Sequence, residues 1–309
     1  MSVGTRAELG RDTTRARVAY LGPQGTFSEE ALLAGAIADT IDPVPCGSIY
    51  ETVAALNRGE VRWSLVPIEN SLDGSITVTL DLLAGEAAGL EIVGEVLLRV
   101  RHSLIAGEPL GLEEIETVIS HPQVPGQCER FLREELPHAR ILPASSTAEA
   151  VRAVTHTTQR GQAALGTLLA AEIYGGTVIR EGVEDRDDNE TRFVWLARAE
   201  KSTEASRPPL RQPEGGEWRT SLVFWGAGAE RPGWLVRCLD EFARRDINLT
   251  KIESRPRRER LGSYMFFADL NGRVSDVPVA DAIADVRKLC EEVRMLGSYR
   301  IALRGGQGS

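Results

Sequence analysis

Val18-Ala19-Tyr20-Leu21-Gly22-Pro23-Gln24-Gly25-Thr26-Phe27-Ser28-Glu29 sets the pattern from which the fold is read. A short apolar run meets a Gly/Pro turn, and a threonine then stands three residues before a glutamate. That is a strand, a tight turn and a helix opened by a capping box. The S/T-x-x-E spacing recurs at Ser48 and Glu51 and at Ser146 and Glu149. Trp63 to Ile68 reads as a buried strand, followed by the polar turn Glu69-Asn70-Ser71-Leu72-Asp73-Gly74 and a helix from Ser75. Glu91 to Arg99, His102 to Ala106 and Thr117 to Ser120 read as further strands. Helices are expected from about Phe27, over Cys128 to Glu135, from Ser146, and through Tyr174. Repeated strand–helix alternation over residues 17–200 predicts an α/β domain with mainly parallel sheets, large enough for two lobes and a cleft. Each capped helix start carries free N–H groups and a partial positive charge. Several such ends facing one cleft would hold a carboxylate ligand; the plainer reading is that they only start helices.

The stretch Asp187-Asp188-Asn189-Glu190-Thr191-Arg192-Phe193-Val194-Trp195-Leu196 runs a polar turn into a buried strand whose first residues offer a hydroxyl and a guanidinium. Strand mouths are where α/β proteins place ligands. The alternative is an ordinary strand start, with Arg192 paired to Asp188 or Glu190. Residues 201–217, rich in Pro, Gly and charge, read as a linker. Beyond it the order changes to strand Thr220–Trp225, helix Pro232–Arg244, strands Ile247–Ser254 and Ser263–Leu270, helix Val277–Arg294 and strand Tyr299–Leu303. This βαββαβ order is the ferredoxin-like unit, and it resembles an ACT domain, the amino-acid-sensing module of biosynthetic enzymes.

Bulk properties narrow the function. The chain has 309 residues, room for two domains, and a net charge of -9, which argues against a nucleic-acid partner. Its four cysteines and four histidines show no metal-ligand spacing, and no disulfide framework is indicated. Reduced thiols imply the cytoplasm. No run reaches the roughly 18 apolar residues of a membrane helix, and Met1 to Arg17 has no apolar signal core. Residues 1–16 read as a loose tail and those after Arg304 as a frayed end. Gly226-Ala227-Gly228 lacks a third glycine, so no dinucleotide site is expected.

Gly22-Pro23-Gln24-Gly25-Thr26-Phe27-Ser28, Pro67-Ile68-Glu69-Asn70-Ser71, Ser120-His121-Pro122-Gln123, Thr191-Arg192-Phe193 and Glu253-Ser254-Arg255-Pro256 occur in the order seen in prephenate dehydratases. The chain resembles that family from about residue 17 to 304. The resemblance implies a two-lobed, type II periplasmic-binding-protein-like catalytic domain over 17–200, one lobe from 17–97 and 186–200, the other from 98–185. It also implies an ACT regulatory domain over 218–304. By the same resemblance Thr191, Asn70 and Gln127 are catalytic, although Val124-Pro125-Gly126 puts an extra proline before Gln127. Thr26, Glu69, Ser71, Ser146, Arg192 and Phe193 would contact substrate. Gly233, Leu235, Asn248, Glu253, Ser254 and Arg255 would form an L-phenylalanine site between paired ACT domains, in a homodimer or homotetramer. The family's Gly-Ala-Leu-Val motif stands here as Gly233-Trp234-Leu235-Val236, with Trp234 either narrowing that pocket or facing the core.

The implied reaction converts prephenate to phenylpyruvate with loss of carbon dioxide and water. Aromatisation drives it, so no cofactor and no metal are called for. The site needs donors more than a strong base. Rival expectations are arogenate dehydratase, whose substrate differs in one substituent, and a ligand-binding protein without catalysis. With no chorismate mutase module visible, the enzyme is expected to be monofunctional.

Overall fold

β1 (Ala16–Leu21) buries Val18, Ala19 and Tyr20 completely and lies within the first sheet. The computed structural model describes residues 15–85, 87, 89–199, 208–211, 215–226, 231–259 and 261–302. The tail before Arg15, the chain end from 303, most of the linker, Ala227, Gly228 and Arg260 therefore lie outside the described residues. After β1 come α1 (Phe27–Gly35), β2 (Ile41–Cys46), α2 (Ile49–Asn57), β3 (Trp63–Asn70), β4 (Gly74–Ser75), α3 (Thr77–Ala84) and β5 (Leu90–Arg99). The chain then enters a second sheet through β6 (Ser103–Ala106), β7 (Thr117–Ser120), α4 (Val124–Gln127), α5 (Glu129–Glu135) and β8 (Arg140–Pro143). That sheet is completed by α6 (Thr147–His156), β9 (Gln162–Gly166), α7 (Leu168–Tyr174) and β10 (Thr177–Arg180). β11 (Glu190–Arg198) returns to the first sheet, antiparallel between β3 and β5.

The result is the two-lobed α/β body expected from the alternation, but its sheets are mixed and not mainly parallel: β11, returning from the second lobe, runs antiparallel to β3 and β5, and β6 runs antiparallel to β9 and β10. In the first sheet β2, β1, β3, β11 and β5 lie side by side, with β1 parallel to both neighbours. The second runs β10-β6-β9-β7-β8. β2 went unread in the sequence because of Pro43 and Pro45. It is an edge strand bonded only to β1, the place where a sheet tolerates proline.

The C-terminal part follows the βαββαβ order: β12 (Trp218–Trp225), α8 (Trp234–Ala243), β13 (Leu249–Pro256), β14 (Tyr264–Asn271), α9 (Val277–Leu289) and β15 (Glu292–Arg300). The last helix is shorter than the sequence predicts. It stops at Leu289, and Glu292 to Arg294, expected as its final turn, open β15. One face of this sheet packs on α8 and α9 through Leu222, Phe224, Trp234, Phe242 and Val286. The other face puts Val223, Met265, Phe267, Leu296 and Tyr299 into one core with Leu80, Leu83 and Ile92 of the first lobe. The two sheets become one where β15 meets β5 at Gly297 and Ile92. A Cβ on Gly297 would run into the Ile92 carbonyl oxygen, so only glycine allows this approach.

The linker is not free throughout. Leu210 is buried and bridges to Ala36, while Arg211 N donates to the Gly35 carbonyl at 2.8 Å. Ser48 and Ser146 cap their helices as read, accepting from Glu51 N and Glu149 N. Thr26 sits at the N-cap of α1 without capping it. Its hydroxyl donates to Leu21 O at 2.9 Å, and Glu29 accepts from Gly25 N instead.

The Gly22–Gly25 turn of the first lobe docks on α7 of the second. Thr167 Oγ1 donates to Gly25 O at 2.7 Å and Tyr174 Oη to Gln24 O at 2.9 Å. Gly25 has φ +83, and a Cβ there would lie 2.9 Å from the Ala170 Cα. Gly25→Ala therefore combines left-handed strain with overpacking of backbone, and urea unfolding is expected to show a loss of about 2–4 kcal/mol.

Candidate functional site

A cleft of about 840 Å³ opens between the two lobes. Its floor is set by the register of β3 and β11, which places Thr191 opposite Asn70. Strand side chains alternate between faces. Thr191 and Phe193 accordingly line the cleft and Arg192 does not. Asn70, Gln127, Thr26 and Ser146 line it as well.

The hydrogen bonds of Asn70 determine how its amide is turned. Its Oδ1 accepts from Leu72 N and Asp73 N, each at 2.9 Å. The Nδ2 donors therefore face Asn189 Oδ1 at 2.8 Å and Thr191 Oγ1 at 2.9 Å. Since the Thr191 oxygen accepts from Asn70, its own proton is left to point elsewhere. From Asn189 the chain continues, Nδ2 donating to Gln127 Oε1 at 3.3 Å. That oxygen also contacts His102 Nε2 at 2.9 Å, and Gln127 Nε2 donates to Asp73 Oδ2 at 3.4 Å. Gln127 is reached despite the extra proline before it, because α4 is a single turn with Pro125 in its first positions.

His102 is buried, packed edge-on against Phe27 with ring centroids 5.3 Å apart, and its backbone N–H donates to Glu184. A contact from Nε2 to an amide oxygen requires the proton on Nε2. Nδ1 is then a bare acceptor, and it is buried with no partner among the described residues. Burial lowers the pKa of this imidazole below its ordinary value, a pull only partly offset by Gln127 and Glu184.

Among the described residues no lysine or arginine lines the cleft. What faces it instead are helix beginnings: Thr26, Phe27 and Ser28 at α1, Gly47 before α2, and Ser146 and Thr147 at α6. The Gly47 N–H is taken by Glu51 at 2.9 Å and the Glu149 N–H by Ser146, so the anion-favouring elements are the dipoles and remaining first-turn N–H groups of α1 and α6, beside the lining carboxylates Asp73 and Glu149.

Three residues named from the sequence lie elsewhere. Arg192 is 7% exposed and points through the sheet to Glu95 and to Asp269 of β14, so neither substrate contact nor pairing with Glu190 describes it. Glu69, its neighbour across the register, faces the same way and pairs with Lys251 at 3.4 Å. Ser71 ties the turn to β11, its N–H donating to Glu190 O at 2.8 Å and its Oγ accepting from Glu190 N at 3.0 Å. Conversely His102, Asn189 and Asp73 belong to the floor and were not singled out. Asn189 and Asp73 lie inside stretches that were, whereas His102 sits alone at a strand start with no local signal.

Gly233 and Leu235 line a smaller pocket of about 260 Å³ with Trp234, Tyr264 and Phe266. Trp234 faces the core, 3% exposed, with Nε1 donating to Leu289 O at 2.7 Å. Ser254 is exposed on β13, across the register from the pocket residue Phe266, and Asn248 is exposed before that strand; neither is part of the pocket lining. Glu253 and Arg255 turn to the other face, toward the first lobe: Glu253 meets Ser75, and Arg255 forks onto Asp81 at 2.9 and 3.1 Å.

Comparison with known proteins gives these groups a context. The prephenate dehydratase family model matches residues 18–201. A prephenate dehydratase of Mycobacterium sp. (strain JLS) is 40% identical over 300 residues, covering 94% of this chain and 90% of that one. The structure of an Arthrobacter aurescens prephenate dehydratase in complex with L-Phe has TM-score 0.81 and 34% identity, covering 92% of this chain and 89% of that one. GqqA, described as a novel type of quorum-quenching acylase, has TM-score 0.79 and 27% identity, covering 93% of this chain and 98% of that one. The fold thus hosts more than one described activity, and the cleft side chains must carry the chemistry.

His102 gives a pH prediction. Its folded pKa is depressed, so the unfolded chain protonates first as pH falls from the ordinary 6.5. The stability it contributes is full above 6.5 and lost below it. The difference in Tm between wild type and His102→Gln is expected to be constant above that pH and to shrink in acid.

Proposed function

The chain belongs to the prephenate dehydratase family, and from that membership we propose how its cleft carries out the decarboxylating dehydration of prephenate to phenylpyruvate. The enzyme is a lyase of aromatic amino acid biosynthesis. In the reaction the bond from the ring to its carboxylate breaks, and that electron pair moves into the ring. The ring hydroxyl departs with a proton as water, and carbon dioxide leaves. Aromatisation supplies the driving force, so the remaining barrier is departure of the hydroxyl. A donor aimed at that oxygen lowers it most.

Thr191 is that donor. The reading is carried by the amide of Asn70, which occupies the Thr191 oxygen and frees the hydroxyl proton for substrate. Asn189, Gln127 and His102 fix the Asn70 side of this array by hydrogen bonds. The carboxylates are held by the N-termini of α1 and α6. A guanidinium clamp would stabilise the carboxylate that must be lost, holding the ground state more than the transition state, and among the described residues the cleft lining contains none. Thr26, Ser146 and Phe193 stand where substrate would contact them.

L-Phenylalanine is the proposed effector, bound at the Gly233–Leu235 pocket beside the face of β13 that carries Ser254, with a second copy of the chain completing the site. Support comes from the pocket itself and from the L-Phe complex of the Arthrobacter relative. Glu253 and Arg255 are assigned to coupling, since Ser75 and Asp81 flank Ile76, a cleft residue. The corresponding domain division is catalytic over 17–200 and regulatory over 218–304, with a cytoplasmic homodimer or homotetramer as the working form. No described helix is long and apolar enough to cross a membrane.

Thr191→Val is expected to lower kcat for prephenate by about 10²–10³ while the protein stays folded, as an assay of phenylpyruvate formation would read. L-Phenylalanine is expected to inhibit the wild type. Arg255→Gln should still bind it by calorimetry but lose most of the inhibition, at least about fivefold in the coupling factor.

A further inference from the structure

The guanidinium of Arg192 is gripped from both sides of the seam between catalytic and C-terminal sheets. Its Nε donates to Glu95 Oε2 at 2.8 Å, Nη1 to Asp269 Oδ2 at 2.6 Å and Nη2 to Tyr299 Oη at 2.6 Å. Ser221 Oγ donates to Asp269 Oδ1 at 2.5 Å, so its oxygen accepts from the Tyr299 hydroxyl at 2.8 Å. Arg219 adds a second cation on Glu95 at 2.5 Å, and Ala302 N reaches the other carboxylate oxygen at 3.1 Å. Burial alone would raise the pKa of Asp269, but Arg192, Ser221 and Arg219 together hold it below the ordinary carboxylate value.

Arg192 is also the residue next to Thr191, on the same strand. Immediately after it the β3–β11 register slips, passing from Arg192–Glu69 to Phe193–Pro67. The β5 side of β11 keeps a regular register through Trp195, so the irregularity is confined to the β3 side, the side of Asn70, where such slips re-aim side chains. On that side the Arg192 anchor adds to the orientation of the strand mouth, and two of its three closest acceptors belong to the C-terminal sheet. We propose that Asp269 and Tyr299 are positioning residues for the dehydration. Through Arg192 they aim the Thr191 hydroxyl, so the C-terminal sheet completes the active site as well as carrying the effector pocket. This inference rests on the reading of Thr191 as the donor.

The test is the kinetics of Tyr299→Phe, which removes one hydroxyl and leaves the ring in the core, measured alone and combined with Thr191→Val. The single change is expected to lower kcat about tenfold with KM for prephenate within about twofold, because orientation is lost and binding is kept. In the Thr191→Val background it should change the residual rate little, since no hydroxyl remains to be aimed. Arg192→Lys should retain more kcat than Arg192→Met. Asp269→Asn is expected to behave as Tyr299→Phe does, and if that variant fails to fold the tyrosine decides alone. Unchanged kcat in Tyr299→Phe, or an equal loss with and without Thr191, overturns the inference while leaving the donor reading intact. Wild-type turnover by Thr191→Val overturns that reading, and the inference with it.

Discussion

A strand shows alternate residues to opposite faces, and β11 uses that constraint to join two tasks in three positions. Thr191 and Phe193 reach the cleft, while Arg192 between them reaches the interior seam. Shifting the register by one residue would put a guanidinium in the cleft and a hydroxyl in the seam. Pairing on both sides, with β3 and β5, makes such a slip costly. The placement of Thr191 in the cleft and the docking of the C-terminal sheet are thus one geometric fact.

The seam also explains why its charges occur together. Two cations, Arg192 and Arg219, face two buried anions, Glu95 and Asp269, with Tyr299 and Ser221 filling the remaining positions. Taking such ions out of water is expensive, and removing one partner of a buried pair typically costs about 3–5 kcal/mol. An arrangement that is costly to break but not strongly stabilising fixes geometry more than it raises stability. The cleft has no such paired charges: amides, a hydroxyl, an imidazole and helix ends with fixed dipoles line it, with Asp73 tied to Gln127 and Glu149 at the start of α6 as its carboxylates.

Much of this was legible in the sequence. Alternating apolar runs and capping boxes gave the α/β body, since period and cap chemistry are local properties. The βαββαβ order gave the C-terminal unit. β2 escaped because its prolines are tolerated only at an edge, and edge position is a tertiary fact. The end of α9 was overrun because Val293 continues the apolar spacing of the helix while belonging to β15. At the site, Asn70, Gln127 and Thr191 were named from motifs, but the direction of a side chain was not. Arg192 looked like a ligand because it sits beside Thr191, and only the pairing partners across the sheet decide its face. His102 needed contacts with Phe27, Gln127 and Glu184, which lie far from it in sequence.

The central claim is that Asn70 donates to the Thr191 oxygen and thereby frees its proton for the departing hydroxyl. The direct test is the pH dependence of kcat in Asn70→Asp, which replaces that donor by a group that accepts once ionised. The account predicts a rate that falls as pH rises through the new carboxyl's titration, because an ionised aspartate would draw the Thr191 proton to itself. A variant with wild-type kcat and a wild-type pH profile would contradict it.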